Sequence, residues 1–305
     1  MQESNNPVGL LMEGGALRGL FTAGVIDVFL DQGITFPAAV GVSAGACFGC
    51  NIKSHQPGRV LRYNLAQCKN PDYCSVRSLI RTGDLFGAEL CYHTIPKELD
   101  PFDEVAFDRD PMAFYVVCTD VETGEPVYHR CDRIADHTYD WIRASASMPF
   151  VARPVEIEGR SYLDGGIADA IPIRFLLDLG YLHNVAVLTR PRDYIKEASR
   201  MPLSLSPLMR SHPRLRAVME QRHIAYARSR SLVFAREAAG MTVVICPERP
   251  LPIDRVTHDP AKLHETYTLG RRAAKAALPA VRAMLAGEAD SKTEKETISN
   301  DESNA

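Results

Sequence analysis

The chain lacks a segment suited to crossing a membrane as a helix. Its longest run of low polarity, residues 36–52, is rich in glycine and alanine, whereas a span needs roughly 20 strongly apolar residues. The opening residues Met1-Gln2-Glu3-Ser4-Asn5-Asn6 are polar and carry no basic-then-apolar leader, so the expectation is a cytoplasmic protein. Positive charge is not in excess. Lysines and arginines number 35 against 38 aspartates and glutamates, a formal net charge of −3, which gives no argument for nucleic acid as a partner. The dinucleotide fingerprint G-x-G-x-x-G is missing, as is the Gly-Lys-Ser/Thr ending of a nucleotide-binding P-loop. No internal repeat is visible. Cys47 and Cys50 form a C-x-x-C, with Cys68 and Cys74 following, but no second close pair stands at zinc-ribbon spacing. On a helix, positions 47 and 50 share one face, where free cysteine packs as a small apolar residue. The 8 cysteines are therefore read as buried, reduced thiols, with no metal and no cofactor implied.

What is present suits a globular protein. The composition, 46% hydrophobic and 24% charged over 305 residues, allows one large or two modest domains. Val8 to Met12 reads as a strand, followed by a glycine turn, Glu13-Gly14-Gly15-Ala16-Leu17-Arg18-Gly19. A helix follows with apolar residues at Leu20, Phe21, Val25, Val28 and Phe29, ending at Gly33. The next strand runs into Gly41-Val42-Ser43-Ala44-Gly45 and a small-residue helix. A right-handed crossover would make these two strands parallel neighbours. The glycine turn and Ser43 would then share the carboxyl edge of the sheet, where ligands bind in open α/β folds. Residues 53–110 show no clean periodicity.

Further on, 113–118 is a buried strand that turns at 119–124 into 126–129. Trp141 to Met148 reads as a helix closed by Pro149, Tyr162-Leu163 leads into Asp164-Gly165-Gly166, and Pro172 to Leu179 is helical. Val185 to Thr189 is another buried strand. Residues 190–212 read as an exposed connection, Pro213 to Ala239 as a long basic helix, and Met241 to Cys246 as a strand. Asp259-Pro260 starts a last helix to about Leu285. From Gly287 onward the chain is polar and expected to be disordered.

Chemistry concentrates at three places. G-x-S-x-G between strand and helix is the pattern of a nucleophile elbow, with Gly41 and Gly45 letting the chain pass close to Ser43. The glycine turn offers backbone N–H groups of Gly14, Gly15, Ala16 and Leu17 as an oxyanion hole, since acyl transfer needs donors placed where the carbonyl oxygen turns negative. Arg18 either adds positive potential or locks the loop, or else forms a surface salt bridge. Asp164, presented by Gly165 and Gly166, is a candidate base for Ser43. Asp120 and Asp169 are rivals with ordinary Asx-turn explanations. A Ser-Asp-His arrangement would need His183, His212, His223, His258 or His264, none of which lies in a strand-end loop with small neighbours. His212 and His223 fall in the basic segment and read as surface or capping residues.

The blocks Gly14-Gly15-Ala16-Leu17-Arg18-Gly19, Gly41-Val42-Ser43-Ala44-Gly45, Ala144-Ser145-Ala146-Ser147-Met148-Pro149 and Asp164-Gly165-Gly166 occur in that order. Together they resemble the patatin-like phospholipase family, over residues 7–190. Glu13-Gly14-Gly15, residues 21–25, 99–103 and 119–124, and a C-terminal region like 205–287, look like its bacterial branch. The resemblance implies a three-layer α/β/α fold with a mainly parallel central sheet and a C-terminal helical extension. It also implies a Ser43–Asp164 dyad with no metal, acting on lipid esters. The boundaries expected are 1–200 for the catalytic domain, 201–287 for a mainly helical region with one strand, and 288–305 for a polar tail. One departure stands out: the family has a third glycine where this chain has Ala16, and alanine resists positive φ by about 1–2 kcal/mol.

The expected activity is a serine acyl hydrolase of the phospholipase A, lysophospholipase or lipid esterase type. The alternatives are a Ser-Asp-His esterase and a non-catalytic lipid-binding protein on a hydrolase scaffold. Arg210, Arg214, Arg216, Arg222, Arg228, Arg230 and Arg236 make the C-terminal helix basic. A solvated face explains them; the sharper alternative is contact with an anionic membrane surface or a substrate phosphate. Oligomeric state is not legible.

Overall fold

Alternation within the strands sets the layers. In the computed structural model, which describes residues 7–135, 137–198 and 203–287, β1 (Val8–Met12) and β2 (Ala38–Val42) are buried along their whole length. That is the pattern of central parallel strands covered on both faces. The remaining strands are β3 (Ala113–Asp120), β4 (Pro126–Arg130), β5 (Val155–Ile157), β6 (Arg160–Asp164), β7 (His183–Val187) and β8 (Thr242–Ile245). Their order is β5-β6-β3-β2-β1-β7-β8, with β4 also paired to β3. Strands β3, β2, β1, β7 and β8 run parallel, and β4, β5 and β6 add antiparallel pairings at one side. The parallel pairing of β1 with β2 is the one expected from the β–turn–α–β reading.

Helices follow the same alternation. They are α1 (Gly19–Asp31), α2 (Ala44–Lys53), α3 (Arg59–Gln67), α4 (Val76–Thr82), α5 (Glu104–Arg109), α6 (Thr138–Ser145), α7 (Ile173–Asp178), α8 (Pro207–Ser211), α9 (Pro213–Ala238) and α10 (Pro260–Leu285). Leu10 and Met12 of β1 pack with Phe21 and Val25 of α1, Ala46 of α2 and Leu263 of α10. Leu11, one residue between them, belongs to the opposite core with Leu176 of α7 and Tyr226 and Val233 of α9. The result is three layers, helix–sheet–helix. The C-terminal region is woven into them, because β8 extends the sheet beyond β7 and α10 packs along α1.

Three readings shift. The helix expected from Trp141 to Met148 begins earlier, at Thr138, and ends at Ser145; the chain ahead of Pro149 is driven out of helical geometry. The strand expected over 185–189 is His183–Val187, and Thr189 leaves the sheet with its N–H given to the Glu13 carboxylate at 2.7 Å. Residues 53–110, without visible periodicity, fold into short helices and a π-helical turn over Leu90–Leu99 that contains Pro96. The tail from residue 288 lies outside the described residues.

The closest helix contact is glycine against backbone. A Cβ on Gly270 of α10 would collide with the Phe21 carbonyl of α1, and one on Gly24 would collide with the Tyr267 carbonyl. Nearby, the Tyr267 hydroxyl donates to Asp27 Oδ2 at 2.7 Å, fixing the register of the two helices. Gly270→Ala gains about 1 kcal/mol of helix propensity. It forces the axes apart at a cost of about 2–3 kcal/mol, so the denaturation midpoint should fall, by roughly 1–2 kcal/mol net.

Candidate active site

Strand β3 brings the site together. Val42, the residue before Ser43, pairs with Val117, while Asp164 pairs with the next residue of β3, Cys118. The ends of β2 and β6 therefore meet over two consecutive positions of one strand. The Asp164 carboxylate accepts a hydrogen bond from the Ser43 hydroxyl, with no imidazole interposed.

Ser43 sits at φ 55°, ψ −123°, a conformation non-glycine residues adopt at a cost of about 1–3 kcal/mol. Several bonds hold it there. Its N–H donates to Ser145 Oγ at 2.8 Å, and the Ser145 hydroxyl donates to the Val117 carbonyl at 2.6 Å. Its own carbonyl accepts the N–H groups of Ala46 at 2.9 Å and Cys47 at 3.0 Å, starting α2. Gly41 and Gly45 are required by close approach: a Cβ at 41 would strike the Gly45 backbone, and one at 45 the Met12 carbonyl.

Asp164 is buried. Its N–H donates to the Ser147 carbonyl at 2.9 Å, its carbonyl accepts the Thr119 hydroxyl at 2.9 Å, and its Oδ1 accepts the Gly166 N–H at 2.7 Å. Gly165 packs directly on the Val117 carbonyl, leaving no room for a side chain. Burial pushes the Asp164 carboxyl above the usual carboxylate range, while the Arg222 guanidinium, the Ser43 hydroxyl and the Gly166 amide oppose that rise. The rival aspartates serve turns. Asp120 Oδ1 accepts the N–H groups of Glu122 and Thr123, and Asp169 accepts the Ile171 N–H and the Tyr128 hydroxyl.

The glycine turn lies against the elbow. A Cβ on Gly14 would stand 2.8 Å from that of Ser43. Among the described residues, the N–H groups of Gly14, Gly15, Ala16 and Leu17 donate to no backbone carbonyl in these turns. Ala16 adopts φ 50°, so the alanine that replaces the third glycine does occupy the left-handed region. Glu13 braces the turn: its carboxylate accepts the Thr189 N–H at 2.7 Å and the Tyr226 hydroxyl at 2.5 Å. The Thr189 hydroxyl in turn donates to the Gly14 carbonyl at 2.8 Å. Arg18 is buried, not a surface ion pair. Its Nε has no partner among the described residues, and burial, with Arg190 nearby, pushes its pKa down to about 10.

These groups open into a cavity of about 720 Å³. One side is apolar, with Phe48, Phe86, Ile95, Phe102, Ile142 and Met148, much of it from the unreadable stretch 53–110. Cys47 lies on this side, its thiol pushed up to about 12 by burial, and Cys50 donates to the Cys47 carbonyl as an ordinary helix-face thiol. The other side carries Arg18, Arg190, Lys196, Arg222 and Arg255.

His223, expected at the surface or as a cap, instead lines this cavity. His212 does occupy the cap before Pro213, bonded to Glu122 at 3.0 Å. His258 bonds the Cys68 carbonyl, and His183 and His264 lie within β7 and α10. Of the seven arginines, Arg210, Arg214 and Arg228 are exposed. Arg230 is buried against Pro191 and Arg192, and Arg222 donates to the Gly166 carbonyl. Sequence reasoning missed Glu13 and Ser145 as supports, and Lys196 and Tyr226 as neighbours of the site. A charged residue ending an all-apolar strand was the available signal for Glu13.

Fold and site define a class: three-layer α/β proteins that present a serine on a strained strand-to-helix turn at the carboxyl edge of a mainly parallel sheet. Residues 10–177 match the model of the patatin-like phospholipases, more than half of the chain, and the chain belongs to that family. Residues 212–286 match a domain of unknown function. An uncharacterized Escherichia coli protein, YjjU, is 28% identical over 282 residues, 87% of this chain and 75% of its own length. An uncharacterized NTE family protein of Mycobacterium tuberculosis is 28% identical over 174 residues, 56% of this chain and 46% of that protein. The lysophospholipase nte1 of Aspergillus fumigatus is 25% identical over 184 residues, 57% of this chain and 11% of that protein. The chain thus spans less than half of the mycobacterial relative and a small part of the fungal one. Among the described residues, no helix is long and apolar enough to cross a membrane.

Ala16→Gly removes about 1–2 kcal/mol of left-handed strain and adds about 0.4–1 kcal/mol of unfolded-state entropy. The variant should be more stable by about 0.5–1 kcal/mol in equilibrium denaturation. A loss of stability would show that the Ala16 methyl contributes packing that outweighs the strain.

Proposed function

We propose that the protein is a serine acyl hydrolase that cleaves carboxylic esters of lipids through a Ser43–Asp164 dyad. The observation that carries the reading is the hydrogen bond from the Ser43 hydroxyl to the buried Asp164 carboxylate, made at the rim of a cavity with an apolar side. Family membership and the resemblance to a lysophospholipase support it.

Asp164 takes the Ser43 proton as Oγ attacks the ester carbonyl. The oxyanion is met by N–H groups of the glycine turn, helped by the α2 N-terminus, donors of a kind each worth about 10²–10³ in rate. As the intermediate collapses, the proton passes from Asp164 to the departing alcohol, leaving an acyl-enzyme. Water then attacks the acyl carbon with Asp164 again accepting its proton, and the fatty acid and free Ser43 are regenerated. The apolar side of the cavity takes the acyl chain. Burial of Asp164 suits this role, because a carboxyl shifted upward is a stronger base than an exposed one.

Ser43→Ala should abolish hydrolysis of a short-chain p-nitrophenyl ester and labelling by a fluorophosphonate probe, with the circular-dichroism spectrum unchanged. Undiminished turnover in that variant refutes the dyad. The pH profile gives a second check. A base works deprotonated, and the folded-state pKa of Asp164 is raised, so the acid limb of kcat/KM should lie above the usual carboxylate range. Arg222 opposes that rise, so Arg222→Met should move the limb to still higher pH; a shift to lower pH would contradict the assignment.

A further inference from the structure

The cavity is chemically lopsided, and the hydrolase reading uses only one side of it. Opposite the apolar wall stand Arg18, Arg190, Lys196, Arg222 and Arg255. Among the described residues, none of the five forms an ion pair with a carboxylate. The carboxylates on the cavity wall are Glu13, Asp84, Asp164 and Glu197. Glu13 is taken by Thr189 and Tyr226, Asp84 by Arg143, and Asp164 by Ser43 and Gly166; Glu197 is also engaged.

The cations are placed by aromatic faces and backbone. Lys196 Nζ lies 4.4 Å over the Tyr226 ring, and the Arg190 guanidinium 4.4 Å over Tyr194. Arg222 is anchored on the Gly166 carbonyl beside Asp164, and Arg18 is 9% exposed with an unpartnered Nε. Crowding like charges in a half-dry wall is unfavourable unless an anion completes it. Burial and the neighbouring Arg222 push Lys196 down to about 7.

We propose that this wall binds a phosphate carried by the alcohol part of the substrate, so that the preferred esters are acyl lipids with a phosphate close to the scissile carbonyl. The inference rests on the hydrolase reading and extends it. Four of the five cations lie outside residues 10–177, and Arg222 and Arg255 belong to the region 212–286. The domain of unknown function thereby acquires a task, which is to select the headgroup for a serine supplied by the family core. Ser43 stands between the two walls, so one substrate spans both, its acyl chain on the apolar side and its phosphate on the cationic side.

The test compares monoacylglycerol phosphate with monoacylglycerol of the same chain length. The wild type should favour the phosphate ester in kcat/KM by about tenfold or more, as expected for charge-assisted hydrogen bonds. In Lys196→Gln/Arg255→Gln that preference should fall about tenfold, mainly through KM. The preference is a ratio measured on one preparation, so a misfolded fraction cancels from it. Calorimetry of Ser43→Ala with both lipids and with orthophosphate gives a readout without turnover; the phosphate lipid should bind best. Equal kcat/KM for the two esters in the wild type overturns the proposal and leaves the hydrolase reading standing. A preference that survives the double substitution removes it from these residues. Orthophosphate bound as tightly as the lipid, with no discrimination between lipids, assigns the wall to free phosphate and also overturns it. Calorimetric preference without hydrolysis of any ester keeps the wall and sinks the hydrolase reading.

Discussion

The register of β3 is the constraint on which the site depends. Two strand ends of opposite polarity, β2 and β6, meet at Val117 and Cys118, and the residues that follow or end them face each other across that junction. A one-residue slip in either pairing would invert every side chain on the slipped strand and carry the hydroxyl or the carboxylate to the wrong face. The register is protected by burial on both faces and by bonds from β3 to both partners. Val117 accepts the Ser145 hydroxyl that holds the elbow, and Thr119 donates to the Asp164 carbonyl. The segment between these contacts is short, so the geometry is stiff.

The site stores strain and buried charge, and the rest of the chain offsets both. Ser43 and Ala16 each occupy positive φ, while Asp164, Glu13 and Arg18 sit in a largely dry interior. The compensation comes from residues far apart in sequence. Ser145 and Ser147 belong to the turn after α6 yet bond to the serine and to the aspartate strand respectively. Tyr226, from α9, bonds Glu13 at the foot of the glycine turn. An uncompensated carboxylate at that point would cost several kcal/mol, so the tyrosine and threonine donors are as necessary to the turn as its glycines.

Much of this is legible in the residues alone, for a physical reason. Close approach demands glycine, and strained turns demand small neighbours, so Gly41, Gly45 and Gly165 mark Ser43 and Asp164 as surely as the reactive groups do. Buried parallel strands write themselves as continuous apolar runs, which is why β1, β2 and β3 stand out. What stays hidden is long-range. Nothing local in Tyr226 or Lys196 says that they reach a serine more than 150 positions away. His223 shows the opposite case, since a polar residue on a basic helix looks solvated until the helix is docked. Residues 53–110 hide for another reason: their helices are short, interrupted by proline, glycine and asparagine, and held by contacts with the cavity they enclose, not by a repeating apolar face.

The sheet order has a practical consequence for anyone handling pieces of this protein. The family match stops at residue 177, ahead of β7, so a fragment trimmed there would strip β1 of the neighbour that pairs with all five of its residues. The bared edge, Val-Gly-Leu-Leu-Met, has no charge, proline or bulge to discourage other chains from adding to it. Such a fragment would be prone to self-association into insoluble material. The smallest soluble unit therefore includes the two outer strands and the helices that carry them, whatever family boundaries suggest.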